Sequence, residues 1–480
     1  MSLKNQAIGG VIWTVVDTFV LRGLSFIATL ILARWLGPAE FGLVGMITVF
    51  IAIGTSLTDS GLTSSLIRAQ EKDSRDYSTV FWMNLGISIL VYLILFFSAP
   101  WIADFFNQSV LVRLIRLYCI SFIISAFSAV QLVRLTEKMN FKKIAKINIP
   151  GTLVGVIVGL ILGYHGYGAF AIVWMYLSTQ VLQSIILWWN SNWRPNFIYS
   201  REKAKYHYRF GYKLMLSGLI NTIFQNIYNI VIGRLYNPVT LGFYERSQTL
   251  NMYPVTVLTS VISKVTYPLL ANIQEDKKKV GSVYRKILRL AFFLIAPLML
   301  LMATIAKPLF NLILGQEWEA AVPFFQILCL GTMFYPIHAF NLNVFMVYGR
   351  SDLFLKLEVI KKVVIVLAIS IGYCFGIYGL VFSSVITSYI ALLINTHYSA
   401  DMINYSQKQQ FKDMFPTFVS GLLSVMVVLI LYSFVNFEYD IVKIAIGLVL
   451  GGGIYLSINY MIKSTPLFYS INLIKEKIRR

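Results

Sequence analysis

The chain has 480 residues, 57% of them hydrophobic and 13% charged, with 41 lysines and arginines against 21 aspartates and glutamates for a formal charge of +20. Soluble proteins average about 45–50% apolar and about 25% charged residues, so this composition excludes disorder and an ordinary soluble enzyme; about 280 apolar residues would fill fourteen membrane helices of roughly 20 residues each. In a soluble chain +20 suggests nucleic acid, but in a membrane protein it first reports topology, because cytoplasmic loops collect Lys and Arg.

Met1 to Gln6 carries one lysine before a long apolar run without a small-residue cleavage site, which predicts a first helix rather than a removed leader. Apolar runs bounded by charge or turn residues then predict about fourteen spans. The first six are Gly10 to Ala33, Phe41 to Ser65, Val80 to Ile102, Leu117 to Val133, Ile149 to Tyr164 and Gly168 to Trp189. The next six are Phe210 to Gly233, Leu241 to Leu270, Leu290 to Ala306, Val322 to Val347, Val363 to Phe375 and Tyr378 to Asn395, and the last two are Phe415 to Val435 and Ile444 to Ile462. Cys119, Cys329 and Cys374 fall inside these runs without disulfide or zinc spacing, and read as core or lipid-facing residues. Trp101, Trp188, Trp189, Trp193 and Trp318 lie at predicted span ends, where interfacial aromatics sit.

The loops alternate in charge. With the N-terminus placed in the cytoplasm, 31 of the 41 cations fall on the cytoplasmic side, six outside and four within spans. The cytoplasmic side carries a net +19 while the outside is balanced, so both termini are expected in the cytoplasm. The tail from Leu467 to Arg480 alternates apolar and basic residues, as an interfacial helix or an ordinary basic tail would.

ILARWLGPAEFG, Ile31 to Gly42, is echoed by VIGRLYNPVTLG, Val231 to Gly242, with Arg34, Pro38 and Gly42 recurring as Arg234, Pro238 and Gly242. An offset of six spans makes the repeat parallel. The expected fold is an all-α polytopic membrane protein: an N-lobe over 1–200, a C-lobe over 201–400, a helix pair over 401–462 and a basic cytoplasmic tail over 463–480.

At ILARWLGPAEFGLVGM, LTDSGLTSSLIR, DYSTVFW, GRLYNPVTLGFYERS, YPLLANIQED and LGQEWEAAVPFFQIL the chain resembles the Wzx-like polysaccharide flippases. Within them it is similar to the WzxC-like lipopolysaccharide biosynthesis branch of the MOP superfamily, which also holds lipid II flippases and MATE drug exporters. The resemblance implies fourteen helices in two MATE-like lobes that rock around a central cavity in the bacterial inner membrane. It also implies translocation of undecaprenyl-pyrophosphate-linked oligosaccharide from the cytoplasmic to the periplasmic leaflet, with other polysaccharide assembly proteins as partners. The family pattern often has an acidic residue before the Asn of the seventh span, whereas Tyr228 precedes Asn229 here.

Arg22, Lys213, Arg246 and Lys264 are the cations within spans, and Asp17, Asp59 and Glu245 the acids. A charge at the bilayer centre costs about 2.5–3.5 kcal/mol on insertion scales, so each should face protein, water or an interface. Arg22 lies near the middle of the first span, where a guanidinium suits a pyrophosphate. A structural partner such as Asp17 is the other reading, though five residues along a helix set the two about 140° apart. Lys213 and Lys264 lie close enough to span ends to snorkel, and Arg246 adjoins Glu245, so ligand binding and local neutralisation both remain open. Asp17 and Asp59 suit a coupled H+ or Na+, sugar hydroxyls, or helix bracing equally. Asn221, Gln225, Asn226 and Asn229 share a face of the seventh span, and the tenth adds His338, Asn341 and Asn343. Such faces hold sugars or bond helix to helix.

The expected substrate-binding set is therefore Arg22, Arg246, Lys264, Asn221, Gln225 and His338, with Asp17 and Asp59 for ion coupling. No metal, cofactor, catalytic residue or nucleic-acid partner is expected, and His165 and His207 read as loop residues. The competing function is a MATE-like small-molecule exporter. A polysaccharide polymerase or ligase is disfavoured because the longest expected exterior stretch, Lys307 to Ala321, is only about 15 residues.

Overall fold

The structure is a computed structural model that describes residues 3–478 except 60 and 436, and within them all side chains but those of 3–12, 14–18, 265, 473–474 and 477–478. Among the described residues all regular structure is helical. Eleven helical stretches among the described residues are long and apolar enough to cross a membrane, or twelve when one bent pair counts as a span. The chain is a multi-pass membrane protein.

It packs as two compact units, residues 1–242 and 243–480. The first holds α1 (Leu3–Asp59), α2 (Leu62–Arg68), α3 (Ser74–Phe106), α4 (Leu111–Tyr118), α5 (Ile120–Glu137), α6 (Phe141–Tyr164), α7 (Ala169–Asn190), α8 (Arg201–Gln225), α9 (Ile227–Leu235) and the first residues of α10 (Pro238–Asn272). The second continues α10 and adds α11 (Lys277–Thr304), α12 (Ala306–Ile313), a 3-10 turn (Gln316–Ala321), α13 (Val322–Thr332) and α14 (Tyr335–Val347). It closes with α15 (Ser351–Tyr373), α16 (Gly376–Ile403), α17 (Gln407–Phe434), α18 (Asp440–Met461) and α19 (Thr465–Ile478).

Local chemistry accounts for the helix ends. The Asp73 carboxylate accepts from the N–H groups of Arg75 and Asp76, and Asp76 accepts in return from Asp73 N–H, a capping box that starts α3. Asn107, with φ 53°, ends it in the left-handed region that asparagine tolerates. Gly151, Gly155, Gly159 and Gly163 recur every fourth residue of α6, and all four are buried. A Cβ on Gly155 would lie 1.9 Å from Thr179 Oγ1 of α7, so the stripe lets the two backbones approach closely.

The first two expected spans are two helices that meet at a kink at Gly37, with φ 73° and ψ 177°, followed by Pro38, inside the turn expected between Ala33 and Phe41. Other breaks fall where hydropathy alone gives no sign. The expected seventh span is α8 and α9, bent by 45° at Asn226. The expected tenth span is divided at Met333 and Phe334 between α13 and α14. The short eleventh span is the apolar half of α15, whose first half carries Lys356, Glu358, Lys361 and Lys362.

Three placements need correction. Trp193, expected at an interface, is buried in the first unit against Phe81, with ring centroids 6.2 Å apart. Trp318, expected at an interface, is completely buried in the second unit, edge-on to Phe243 with ring centroids 6.1 Å apart. His207, expected in a loop, is a fully buried residue of α8.

Candidate functional site

In the first unit the two copies of the repeated turn touch each other. A Cβ on Gly42 would lie 1.7 Å from the Pro238 carbonyl oxygen, and one on Gly242 would lie 1.9 Å from that of Pro38. The contact is reciprocal, so only glycine fits either side.

Arg22, Asn221 and Gln225 are all exposed, on faces that their own unit leaves uncovered. The polar face of the seventh span divides, because Asn226 is half-buried with its amide donating to Thr222 O at 2.8 Å, while Asn229 is buried. Two residues of that face are therefore presented outward and two are consumed within the unit. Asp59 is exposed at the end of α1 and accepts from Thr63 Oγ1 at 2.9 Å, an arrangement that also braces the turn into α2. The Asp17 side chain lies outside the described residues. Lys213 is exposed on α8.

The second unit holds the other candidates. Arg246 is buried and forms a fork with Glu245, Nε to Oε2 at 2.8 Å and Nη2 to Oε1 at 3.2 Å, while Thr249 also donates to Glu245. Its charge is balanced by its neighbour in sequence. Lys264 is exposed on α10. His338 is tied to α16 through Ser388 Oγ at 3.2 Å from Nε2 and Asn395 Nδ2 at 3.3 Å from Nδ1. Ser388 already donates its hydroxyl to Gly331 O, so it accepts from His338, which assigns the ring proton to Nε2. His338 thus stitches α14 to α16, the helix-bracing reading of such polar residues.

One polar constellation was missed from the sequence. Asp76, almost wholly buried, receives Lys203 Nζ at 2.9 Å and faces His207 Nε2 at 3.2 Å, and His207 Nδ1 lies 2.8 Å from Ser65 Oγ. Beside it Glu137 accepts from Lys72 at 2.5 Å and from Tyr77 at 2.7 Å, and Arg134 stacks over Tyr77 and Trp193. The network ties α2, α3, α5 and α8 together. The signal available in the sequence was the D-S-R-D capping pattern, which marks the helix start but not the partner 131 residues away. Among the described residues no three His, Cys, Asp or Glu side chains gather to hold a metal ion.

Residues 31–323 match the family model described as Polysaccharide biosynthesis protein. The chain belongs to this family. Among its relatives, the Lipopolysaccharide biosynthesis protein WzxC of Escherichia coli is 25% identical over 78% of this chain and 76% of its own. The Teichuronic acid biosynthesis protein TuaB of Bacillus subtilis is 24% identical over 73% of both chains. The Succinoglycan biosynthesis transport protein ExoT of Rhizobium meliloti is 25% identical over 66% of this chain and 64% of its own.

Solved structures give the fold. A lipid II flippase MurJ in an inward closed conformation superposes with a TM-score of 0.77 at 13% identity, covering 94% of this chain and 98% of that one. An inward-facing MATE multidrug transporter gives 0.60 at 18% identity, over 83% and 99%. The expected all-α, MATE-like membrane fold and the resemblance to polysaccharide flippases are both borne out.

Proposed function

We propose that the protein translocates lipid-linked oligosaccharide across the membrane during assembly of a surface polysaccharide, and that it is a transporter rather than an enzyme. The carrying observation is family membership across residues 31–323, with relatives named for three different polysaccharides, lipopolysaccharide, teichuronic acid and succinoglycan. What such proteins share is handling of a glycan rather than one particular glycan. The exposed Arg22 with Asn221 and Gln225 supplies the matching chemistry: a guanidinium for phosphate oxygens and amides for sugar hydroxyls. The 45° bend between α8 and α9 adds a discontinuous helix, the feature transporters place at their substrate.

The finer reading follows the same logic. The substrate is an undecaprenyl-pyrophosphate-linked oligosaccharide moved from the cytoplasmic to the periplasmic leaflet of a bacterial inner membrane by alternating access of lobes over 1–200 and 201–400. Fourteen crossings leave both termini in the cytoplasm, and Asp17 and Asp59 are the residues for a coupled H+ or Na+. Arg246, already matched by Glu245, and His338, engaged between helices, are assigned to bracing, whereas Arg22, Asn221, Gln225 and Lys264 remain substrate residues.

Reconstitution in proteoliposomes tests this reading, by measuring the fraction of fluorescent lipid-linked oligosaccharide that becomes accessible on the far leaflet, with and without H+ or Na+ gradients. Protein-dependent flipping that falls in Arg22→Ala is expected. Efflux of cationic drugs without any glycan-lipid flipping would overturn it in favour of the exporter reading, which the MATE likeness supports.

A further inference from the structure

Three chain segments of the second unit converge on a cavity of about 670 Å3: the first half of α11, the start of α17 and the turn joining α18 to α19. Four cations line it, Arg285, Arg289, Lys412 and Lys463, with a single carboxylate, Asp413. Arg285 donates to Asp413 through Nε and Nη2 at 2.5 and 2.9 Å, Arg289 donates through Nη2, and the Tyr405 hydroxyl donates at 2.5 Å. One carboxylate balances only one of the four charges.

These bonds fix both guanidiniums without satisfying them. Arg289 Nε is buried and has no hydrogen-bond partner among the described residues. A donor on a charged group that is left without a partner is costly, so Asp413 by itself does not satisfy the two guanidiniums. Asp413, the carboxylate in the wall, is engaged by Arg285 and Arg289, and Ser464 and Thr465 follow Lys463 in the lining.

The rest of the wall says what kind of molecule suits these cations. Pro416, Ile462 and Pro466 make part of it apolar. Next to Lys463 the end of α18 leaves Tyr460, Met461 and Ile462 exposed, Met461 by 80%, so an uncovered apolar face runs straight into the cationic cavity. The following helix is held in place because Leu467 packs on Phe293 and Tyr455. A free phosphate would use the cations and leave this face bare, and the cavity is far larger than one phosphate group.

We propose that the cavity binds the headgroup of an anionic phospholipid, with its phosphodiester on Arg289, Lys412 and Lys463 and its acyl chains along the exposed end of α18. Basic pockets between membrane helices suit this chemistry. The site lies wholly in the second unit and uses none of the residues assigned to substrate, so it stands or falls separately from transport.

The test titrates purified full-length protein in neutral detergent with phosphatidylglycerol, phosphatidylcholine or inorganic phosphate, reading bound lipid by native mass spectrometry and the thermal midpoint. Phosphatidylglycerol alone should bind and raise the midpoint. Its affinity should fall about tenfold or more in Lys412→Gln/Lys463→Asn, whose asparagine tolerates the left-handed φ of 51° at 463. The variant Lys142→Gln/Lys205→Gln removes the same charge elsewhere and should bind as the unmodified protein does. Equal binding of phosphatidylcholine, an equal response to inorganic phosphate, or unchanged affinity in the Lys412/Lys463 variant would overturn the proposal.

Discussion

Gly42 and Pro238 meet backbone to backbone: the space a Cβ on Gly42 would fill is occupied by the Pro238 carbonyl, and Gly242 stands in the same relation to Pro38. Two segments that share three residues at an offset of 200 are therefore also partners in space. Gly42→Ala and Gly242→Ala should each destabilise the protein by about 1–3 kcal/mol, as overpacking does. Gly86→Ala in α3 meets nothing within 4 Å and should be neutral or slightly stabilising. Thermal midpoints of the three variants in one detergent would check this, and equal midpoints would refute the contact.

Asp76 joins α3 to α8 through Lys203 and His207. Asp76→Asn keeps the shape but leaves Lys203 without its counter-charge, and His207→Ala leaves Ser65 and Asp76 facing a gap. Each should cost about 1–3 kcal/mol, the penalty of a buried polar group that loses its partner. Lower yield of folded monomer on size exclusion, together with a lower thermal midpoint, is the expected result for both.

Arg22 carries the substrate proposal. Arg22→Ala should lower flipping by about 10- to 100-fold, the scale of one or two lost charge-assisted hydrogen bonds, with folded protein levels unchanged. Arg22→Lys should recover only part of it, because an ammonium keeps the charge but not the planar fork. A lysine variant as active as the unmodified protein would show that charge alone matters.

Trp318 separates two kinds of tryptophan. It has no exposed surface, whereas Trp189 is 84% exposed. Trp318→Ala should cost about 3–5 kcal/mol and sharply reduce folded protein, and Trp189→Ala should leave the thermal midpoint within about 0.5 kcal/mol of the unmodified protein. Parallel expression and melting of the two variants distinguishes them.

The sequence by itself determined the class of fold, because long apolar runs in a lipid environment have only helices available to satisfy their backbones. It also determined the family resemblance, and it singled out the repeated turn, since Arg34, Pro38 and Gly42 recur in order. It singled out Arg22, Asn221 and Gln225 as candidates, which the structure leaves exposed.

Tertiary structure alone decided which polar residues are spent on the protein itself. The sequence leaves Arg246 open between ligand binding and neutralisation by the adjoining Glu245; in the structure it is buried in a fork with that neighbour, whereas Arg22 is exposed. His338 is bound to a helix some 50 residues further on, and the acidic partner of His207 lies 131 residues before it. Hydropathy sums over a window and so cannot register a bend at Asn226, which depends on backbone torsion. Partners far apart in sequence are set by packing, and packing is what local pattern does not encode.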